Sequence, residues 1–198
     1  MKRLHRPDLY GWSRFDPARD LDFHSTFWAR RHGNVVVDPL PLDDHDVAHI
    51  ERLGGVATVV LTTSDHVRAA ALIQERWGAE VCGPQAERDR LPRFCDRWLS
   101  DGDEVVPGLE VLELHGSKTP GELALLLEGA TLITGDLVRG PLLGRLALLP
   151  DAKLTDKGAA LASVRRLEAI VGLEAVICGD GWPLVGDVRA ALLELLRS

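Results

Sequence analysis

One segment, residues 104–136, constrains the fold of this 198-residue chain more than any other. The apolar residues 104–115 and 122–127 flank a polar turn that contains Thr119-Pro120-Gly121. A further apolar run, residues 130–134, ends at Gly135-Asp136. Short apolar runs bounded by Gly and Pro are typical of β-strands. The segment therefore predicts a hairpin followed by a third strand.

The composition is that of an ordinary soluble globular protein, with 45% hydrophobic and 27% charged residues. The length suffices for a sizeable core, and no linker or repeat is evident, so we expect residues 1–198 to form a single domain. The net charge of -7 disfavours a nucleic-acid or anionic-membrane partner, because phosphate binding relies on clustered Lys and Arg. The composition therefore predicts a protein without a nucleic-acid partner.

The three cysteines, Cys82, Cys95 and Cys178, lie far apart and form no C-x-x-C pair. Their odd number argues against a disulfide framework, and we expect reduced thiols. The start of the chain has no apolar core of a secretory signal, and no apolar run is long enough to span a bilayer. These features predict a cytoplasmic protein without a membrane partner.

Hydrophobic periodicity and turn residues predict the remaining elements. The expected helices cover residues 43–53, 66–77, 157–172 and 185–196, and one more helix with a loop covers residues 84–99. The expected strands cover residues 26–30, 34–38, 56–61, 80–82 and 175–178, and residues 140–150 read as a loop. This order predicts an α/β (α+β) fold of four layers, in which helices cover two sheets.

Five local sequences, taken in order along nearly the whole chain, resemble the metallo-β-lactamase superfamily. They are Val35-Val36-Val37-Asp38, then Val59-Val60-Leu61-Thr62 with Asp65-His66, then residues 100–121, Thr134-Gly135-Asp136 and Gly179-Asp180-Gly181. In that family these positions hold an early strand that ends in Asp, the H-x-H-x-D-H loop, the His-Thr-Pro-Gly turn and the last two ligand loops. The resemblance implies an αββα sandwich with one or two metal ions, usually zinc or iron. It also implies hydrolysis of β-lactams, thioesters, lactones or phosphoesters.

The chain departs from the family pattern at the metal ligands. Residues 62–64, Thr-Thr-Ser, replace the H-x-H pair in a loop about two residues short. Lys118 stands where the next His belongs, and Asp180 stands where the last His belongs. Asp65, His66 and Asp136 keep the family's residue types.

One interpretation of these departures is a single metal ion. The resemblance would then assign Asp65, His66, Asp136 and Asp180 as its ligands. Three carboxylates and one imidazole form a hard ligand set, which suits manganese, iron(II) or magnesium better than zinc. A two-zinc site is disfavoured, because the nitrogen-rich shell that zinc prefers is lost.

The second interpretation needs no metal. A Lys side chain is protonated at neutral pH and is a poor metal ligand, but its charge can replace that of a cation. Flanked by Asp65, Asp136 and Asp180, Lys118 would hold the site together as an ion-pair network. Without such a cation the carboxylates would repel one another and raise each other's pKa.

Two functions remain open. The first is a hydrolase of a small ester, thioester, lactone or phosphoester, with Asp65, His66, Lys118 and Asp136 as the candidate catalytic residues. The second is a catalytically inactive family member that binds a ligand or a partner. Pairing of two copies to a homodimer is a further expectation, for which the N-terminal aromatic residues Tyr10, Trp12 and Phe15 are candidates.

Overall fold

Two β-sheets lie face to face at the centre of the molecule, and two helices cover each outer face. A computed structural model describes residues 1–91 and 95–197. The helices are α1 (Asp44–Arg52), α2 (Ala70–Trp77), α3 (Lys157–Glu168) and α4 (Val188–Leu195). The described chain has no helix with the length and apolar character that crossing a bilayer requires.

The first sheet contains seven strands in the order of the sequence, from β1 to β7. These are β1 (Lys2–Arg3), β2 (Leu9–Asp16), β3 (Leu21–Trp28), β4 (Val35–Val37), β5 (Thr58–Val60), β6 (Glu80–Pro84) and β7 (Arg97–Leu99). Strands β4 to β7 are parallel to one another, because α1 and α2 connect the first three of them across one face.

The second sheet contains six strands in the order β15-β14-β11-β10-β9-β8, and β12 and β13 form a separate hairpin. These strands are β8 (Glu104–Val106), β9 (Leu109–Leu114), β10 (Glu122–Leu127), β11 (Thr131–Thr134), β12 (Val138–Leu142), β13 (Arg145–Leu148), β14 (Ala175–Cys178) and β15 (Leu184–Val185). The hairpin predicted around Thr119-Pro120-Gly121 is confirmed as β9 and β10, and β11 pairs antiparallel with β10.

Strand β10 shows how the sequence forms the sandwich. Leu123, Leu125 and Leu127 pack between the two sheets, whereas Ala124 and Leu126 pack under α3 and α4. Because successive side chains of a strand point to opposite faces, a continuous apolar run is buried on both. Each fully buried Leu stabilises the fold by roughly 1.5–3 kcal/mol relative to an exposed one. The predicted αββα sandwich is confirmed.

The helix predicted for residues 66–77 is wrong at its start. Residues Ser64–His66 form a 3-10 turn, and α2 begins at Ala70. Between them Arg68 adopts a left-handed backbone with φ +39°. An α-helix cannot continue through such a residue, so the two pieces are separate.

Three other predictions need correction. Residues 140–150, predicted as a loop, contribute to the hairpin of β12 and β13, which turns at Gly144 with φ +76°. The last helix begins at Val188 and follows the short strand β15, since Gly186 and Asp187 both have positive φ and end that strand. Within residues 84–99, Gln85–Glu87 form a 3-10 turn and β7 occupies the end, so no α-helix lies there among the described residues, and residues 92–94 lie outside them.

The N-terminal aromatic residues belong to β2, an element that the sequence analysis did not predict. Trp12 is buried, Tyr10 is half-buried beside Phe27, and Phe15 is exposed. Trp12 is therefore wrong as a candidate for pairing with a second copy, because it belongs to the buried cluster that also contains Ile50 and Ile73. The pairing itself stays a prediction.

Candidate active site

Strand ends on both sheets supply the residues of the site. Asp38 and residues 62–66 follow the parallel strands β4 and β5. Asp136 and Asp180 follow the parallel strands β11 and β14. Because parallel strands end at the same edge of a sheet, these loops converge. Lys118 reaches them from the turn between β9 and β10.

Lys118 places its ammonium between two carboxylates. Its Nζ lies 2.8 Å from Oδ2 of Asp65 and 3.0 Å from Oδ2 of Asp136. Burial disfavours the ammonium, but the two carboxylates outweigh this effect and raise the pKa of Lys118 above its ordinary value. Lys118 is therefore a cation, and its nitrogen has no lone pair to offer a metal.

His66 is buried between two carboxylates. Its Nδ1 lies 2.8 Å from Oδ2 of Asp38, and its Nε2 lies 3.6 Å from Oδ2 of Asp136. Burial disfavours the imidazolium, but the charges of Asp38 and Asp136 prevail and raise the pKa of His66 to about 10. Burial also disfavours the charge of Asp136, yet His66 and Lys118 hold the pKa of Asp136 well below its usual range.

Asp38 fixes the loop that carries His66. Its Oδ1 accepts from the backbone N–H of Thr62 at 2.8 Å, and its Oδ2 accepts from the Thr62 hydroxyl at 2.6 Å. Asp38 itself has φ +49°, a left-handed backbone that Asp tolerates better than most residues. In the sequence Asp38 was recognisable only as the residue that ends an early strand of the family pattern, and these hydrogen bonds show that it shapes the loop. It also pairs with His66.

His66, Asp136 and Asp180 form a buried group whose potential ligand atoms lie within 4.8 Å of one another. Oδ1 of Asp180 is buried without a hydrogen-bond donor among the described residues, whereas Oδ2 of Asp136 has the Lys118 ammonium at 3.0 Å. Burial and the charge of Asp136 raise the pKa of Asp180. Asp65, the fourth metal-ligand candidate, lies outside this group, since its carboxylate is half-exposed and pairs with Lys118.

The expected contact between Lys118 and Asp180 is replaced by another ion pair. Oδ2 of Asp180 lies 3.4 Å from Nε of Arg139. The reason is the position of β12, because Gly140 bridges to Gly181 and brings Arg139 beside the last loop. Sequence analysis missed Arg139, which lies directly before the segment that it predicted as a loop, residues 140–150.

Two buried glutamates that the sequence analysis also missed hold the loops together. Glu87 accepts from the backbone N–H of Ser64 at 2.7 Å and of Gly121 at 3.4 Å. Glu122 accepts from the Ser117 hydroxyl at 2.6 Å and from the backbone N–H of Leu137 at 2.8 Å. Each glutamate thus connects the Lys118 turn to another loop of the site. The only sequence signal was an acid at the start of the apolar strand β10.

Glu122 predicts a specific pH dependence of stability. Burial, and then the charge of Asp136, raise its pKa from 4.5 to about 8. Between these values the folded protein binds a proton that the unfolded chain has released, so the free energy of unfolding falls as pH rises, by at most about 1.4 kcal/mol per unit. We expect Glu122→Gln to remove the contribution of Glu122 to this fall, because Gln keeps the acceptor for Leu137 and cannot ionise. Above pH 6.5 a fall of the same sign remains, because the pKa of His66 is also raised in the folded protein.

The measurement is urea unfolding at intervals between pH 4.5 and 8. Glu75→Gln, a change of the same chemistry at an exposed position of α2, is the control and should keep the wild-type slope. An unchanged slope in Glu122→Gln would show that another group is responsible.

The site opens into a cleft of about 340 Å³. Its lining residues are Asp16, Arg19, Phe23, Asp65, His66, Arg68, Lys118 and Asp136. Two residues next to the site loops do not line this cleft. His115 is exposed beside Glu113, and Trp182 lines a separate groove with Met1 and Trp12.

Comparison with known proteins gives consistent matches. A model of the metallo-beta-lactamase superfamily matches residues 1–198. A hydroxyacylglutathione hydrolase of Brucella anthropi is 32% identical over 167 residues, which are 76% of this chain. The chain spans 61% of the length of that relative.

Two solved structures share the fold. The metallo-beta-lactamase from Pontibacter korlensis superposes with a TM-score of 0.73 at 16% identity, over 98% of this chain and 96% of that one. TTHA1623, solved in a di-iron-bound form, superposes with a TM-score of 0.69 at 23% identity, over 90% of this chain and 96% of that one. With a family match along the whole length and the same αββα sandwich, this chain belongs to the metallo-β-lactamase superfamily.

Proposed function

We propose that this protein hydrolyses small esters or thioesters, and that the Lys118 ammonium stands where family members place a metal ion. The observation that carries the proposal is the position of Lys118 Nζ, within 3.0 Å of both Asp65 and Asp136 at the base of the cleft. Membership of a hydrolase family and the thioesterase name of the Brucella anthropi relative support the reaction class.

The residues present do not fit two metal ions. Residues 62–64 and Lys118 stand where the family places imidazoles, and none of them supplies a nitrogen ligand. Adding a divalent cation at the position of the Lys118 ammonium would also bring like charges together.

The residues do fit one ion. His66, Asp136 and Asp180 offer three ligand atoms, and Oδ1 of Asp180 is buried without a donor among the described residues. His66 would bind the ion as a neutral imidazole, so metal binding would release its proton. This carboxylate-rich set suits manganese, iron(II) or magnesium better than zinc. When bound, such an ion supplies a Lewis acid.

The chain's own residues supply the remaining chemistry. The Lys118 ammonium stabilises the negative charge that develops on the substrate carbonyl oxygen. Asp65, half-exposed in the cleft, accepts the proton of the water whose oxygen attacks the carbonyl carbon. The C–O or C–S bond then breaks, and the leaving alkoxide or thiolate is protonated from solvent. Asp136 and His66 position Lys118.

A second candidate, a binding protein without hydrolytic activity, has one observation in its favour. The cations Lys118 and His66 are already paired with carboxylates, and no serine or cysteine with an adjacent base lies in the cleft among the described residues. Such a protein would use the same cleft for a small ligand.

Metal content and turnover, measured on the same preparation, test the proposal. We expect at most one equivalent of divalent metal per chain, lost in Asp136→Ala, and hydrolysis of at least one member of a panel of thioesters and esters. Asp151→Ala, an exposed carboxylate outside the site, should keep both properties. Two equivalents of metal would contradict the role of Lys118. A folded protein that turns over no substrate would favour the binding candidate.

A further inference from the structure

Arg68 is a cation of the cleft that pairs with no carboxylate among the described residues. Lys118 contacts Asp65 and Asp136, and Arg19 lies 3.6 Å from Asp16. Arg68 instead donates from Nη1 to two neutral acceptors, the carbonyl oxygens of His24 at 3.1 Å and of Asp38 at 3.2 Å. Arg68 therefore makes no ion pair among the described residues, although its charge acts on nearby Asp180 from a distance.

The backbone and the neighbouring ring hold Arg68 in place. Its φ of +39° is an uncommon conformation for a residue with a side chain, and such strain persists where the surroundings enforce it. The centroid of the Phe23 ring lies 5.4 Å from the guanidinium carbons of both Arg68 and Arg19. An aromatic ring at this distance attracts a cation and limits its movement.

We propose that Arg68 binds a carboxylate of the ligand, with Arg19 as the second cation, so that the site selects acyl compounds that carry a free carboxylate. That the ligand is an acyl compound rests on the proposed function. That it carries a carboxylate follows from the position of Arg68 in the cleft. A guanidinium presents N–H groups in a fork that matches a carboxylate, and both of the protein contacts of Arg68 use Nη1.

The surrounding charges favour a carboxylate over a phosphate. One unpaired guanidinium balances one negative charge. Asp16 and Asp65 also line the cleft, and they would repel a phosphate dianion more strongly than a carboxylate, which carries only one negative charge. The volume of about 340 Å³ suits a small ligand that reaches from Arg68 to Lys118.

Titration calorimetry with glutarate tests the site without any hydrolysis. The uncharged diamide glutaramide and inorganic phosphate serve as comparison probes. We expect wild-type protein to bind glutarate more tightly than either. Arg68→Gln should weaken glutarate binding by about 10- to 100-fold, the range for a lost charge-assisted hydrogen bond.

Two variants keep the result interpretable. Arg68→Lys retains the charge but not the fork, and should bind glutarate with intermediate affinity while still discriminating against glutaramide. Arg88→Gln is the matched control, because its guanidinium lies 5.4 Å from the Trp98 ring outside the cleft, and it should bind as wild type does.

Several outcomes would overturn the inference. They are no glutarate binding by wild-type protein, equal affinity for glutaramide, tighter binding of phosphate, or an Arg68→Gln affinity within twofold of wild type. Glutarate binding that depends on Arg68, in a protein that hydrolyses nothing, would uphold this inference and reject the proposed function.

Discussion

Asp38→Asn is expected to lower the free energy of unfolding by about 3 kcal/mol, because removing one partner of a buried ion pair leaves the other charge uncompensated. Asp38 and His66 are both about 4% exposed, so water cannot replace the lost carboxylate. Asn tolerates the left-handed backbone at this position. The Asn side chain, however, has only one oxygen. Asp38 uses both of its oxygens to accept from the backbone N–H and the hydroxyl of Thr62.

Urea unfolding at pH 7 measures this effect. Asp151→Ala removes a carboxylate from an exposed ion pair with Lys157 and should change stability by less than about 1 kcal/mol. If Asp38→Asn cost no more than this control, the buried pair with His66 would have no part in holding the site.

Lys118→Met is expected to reduce kcat for thioester or ester hydrolysis by about 10²- to 10³-fold, the usual effect of removing a group that stabilises an oxyanion. Methionine matches the length of the lysine stem but carries no charge. Asp136, only 4% exposed, would also lose its contact with the ammonium at 3.0 Å, so stability should fall as well.

Steady-state kinetics on the panel, together with urea unfolding, check this prediction. Lys157→Met is the matched control, because Lys157 lies at the start of α3 and pairs with Asp151 away from the cleft. Activity of Lys118→Met equal to that of the control would exclude Lys118 from catalysis. Lys118→His removes the ammonium and restores the family's imidazole. The metal content of this variant distinguishes a role of residue 118 as a charge from a role as a metal ligand.

The fold was predictable because its signals are local. The run Leu123-Ala124-Leu125 is buried on both faces, and the Thr119-Pro120-Gly121 turn separates two strands of similar length. The family pattern also indicated which loops meet, since Lys118 and Asp136 occupy ligand positions of that pattern. A pattern that depends on neighbouring residues can be recognised without the structure.

The partners of the site residues were not predictable, because they come from distant parts of the sequence. Glu87 accepts from Gly121, which lies 34 positions away in the sequence. Arg139 of β12 pairs with Asp180, which follows β14. Arg139 lies in the first strand of a hairpin, most of which reads as a loop, and Arg68 breaks a segment that reads as one helix. In both places tertiary contacts override local preference.

The buried acceptors Asp38, Glu87 and Glu122 have a consequence for how this scaffold can change. Each accepts at least one main-chain N–H of a site loop, so hydrogen bonds within the polypeptide contribute to the loop conformations. Substitutions at residues 118 and 180 should therefore change the side chains of the site without changing the loop backbone. Histidine at these positions would alter the set of possible metal ligands and keep the shape of the cleft.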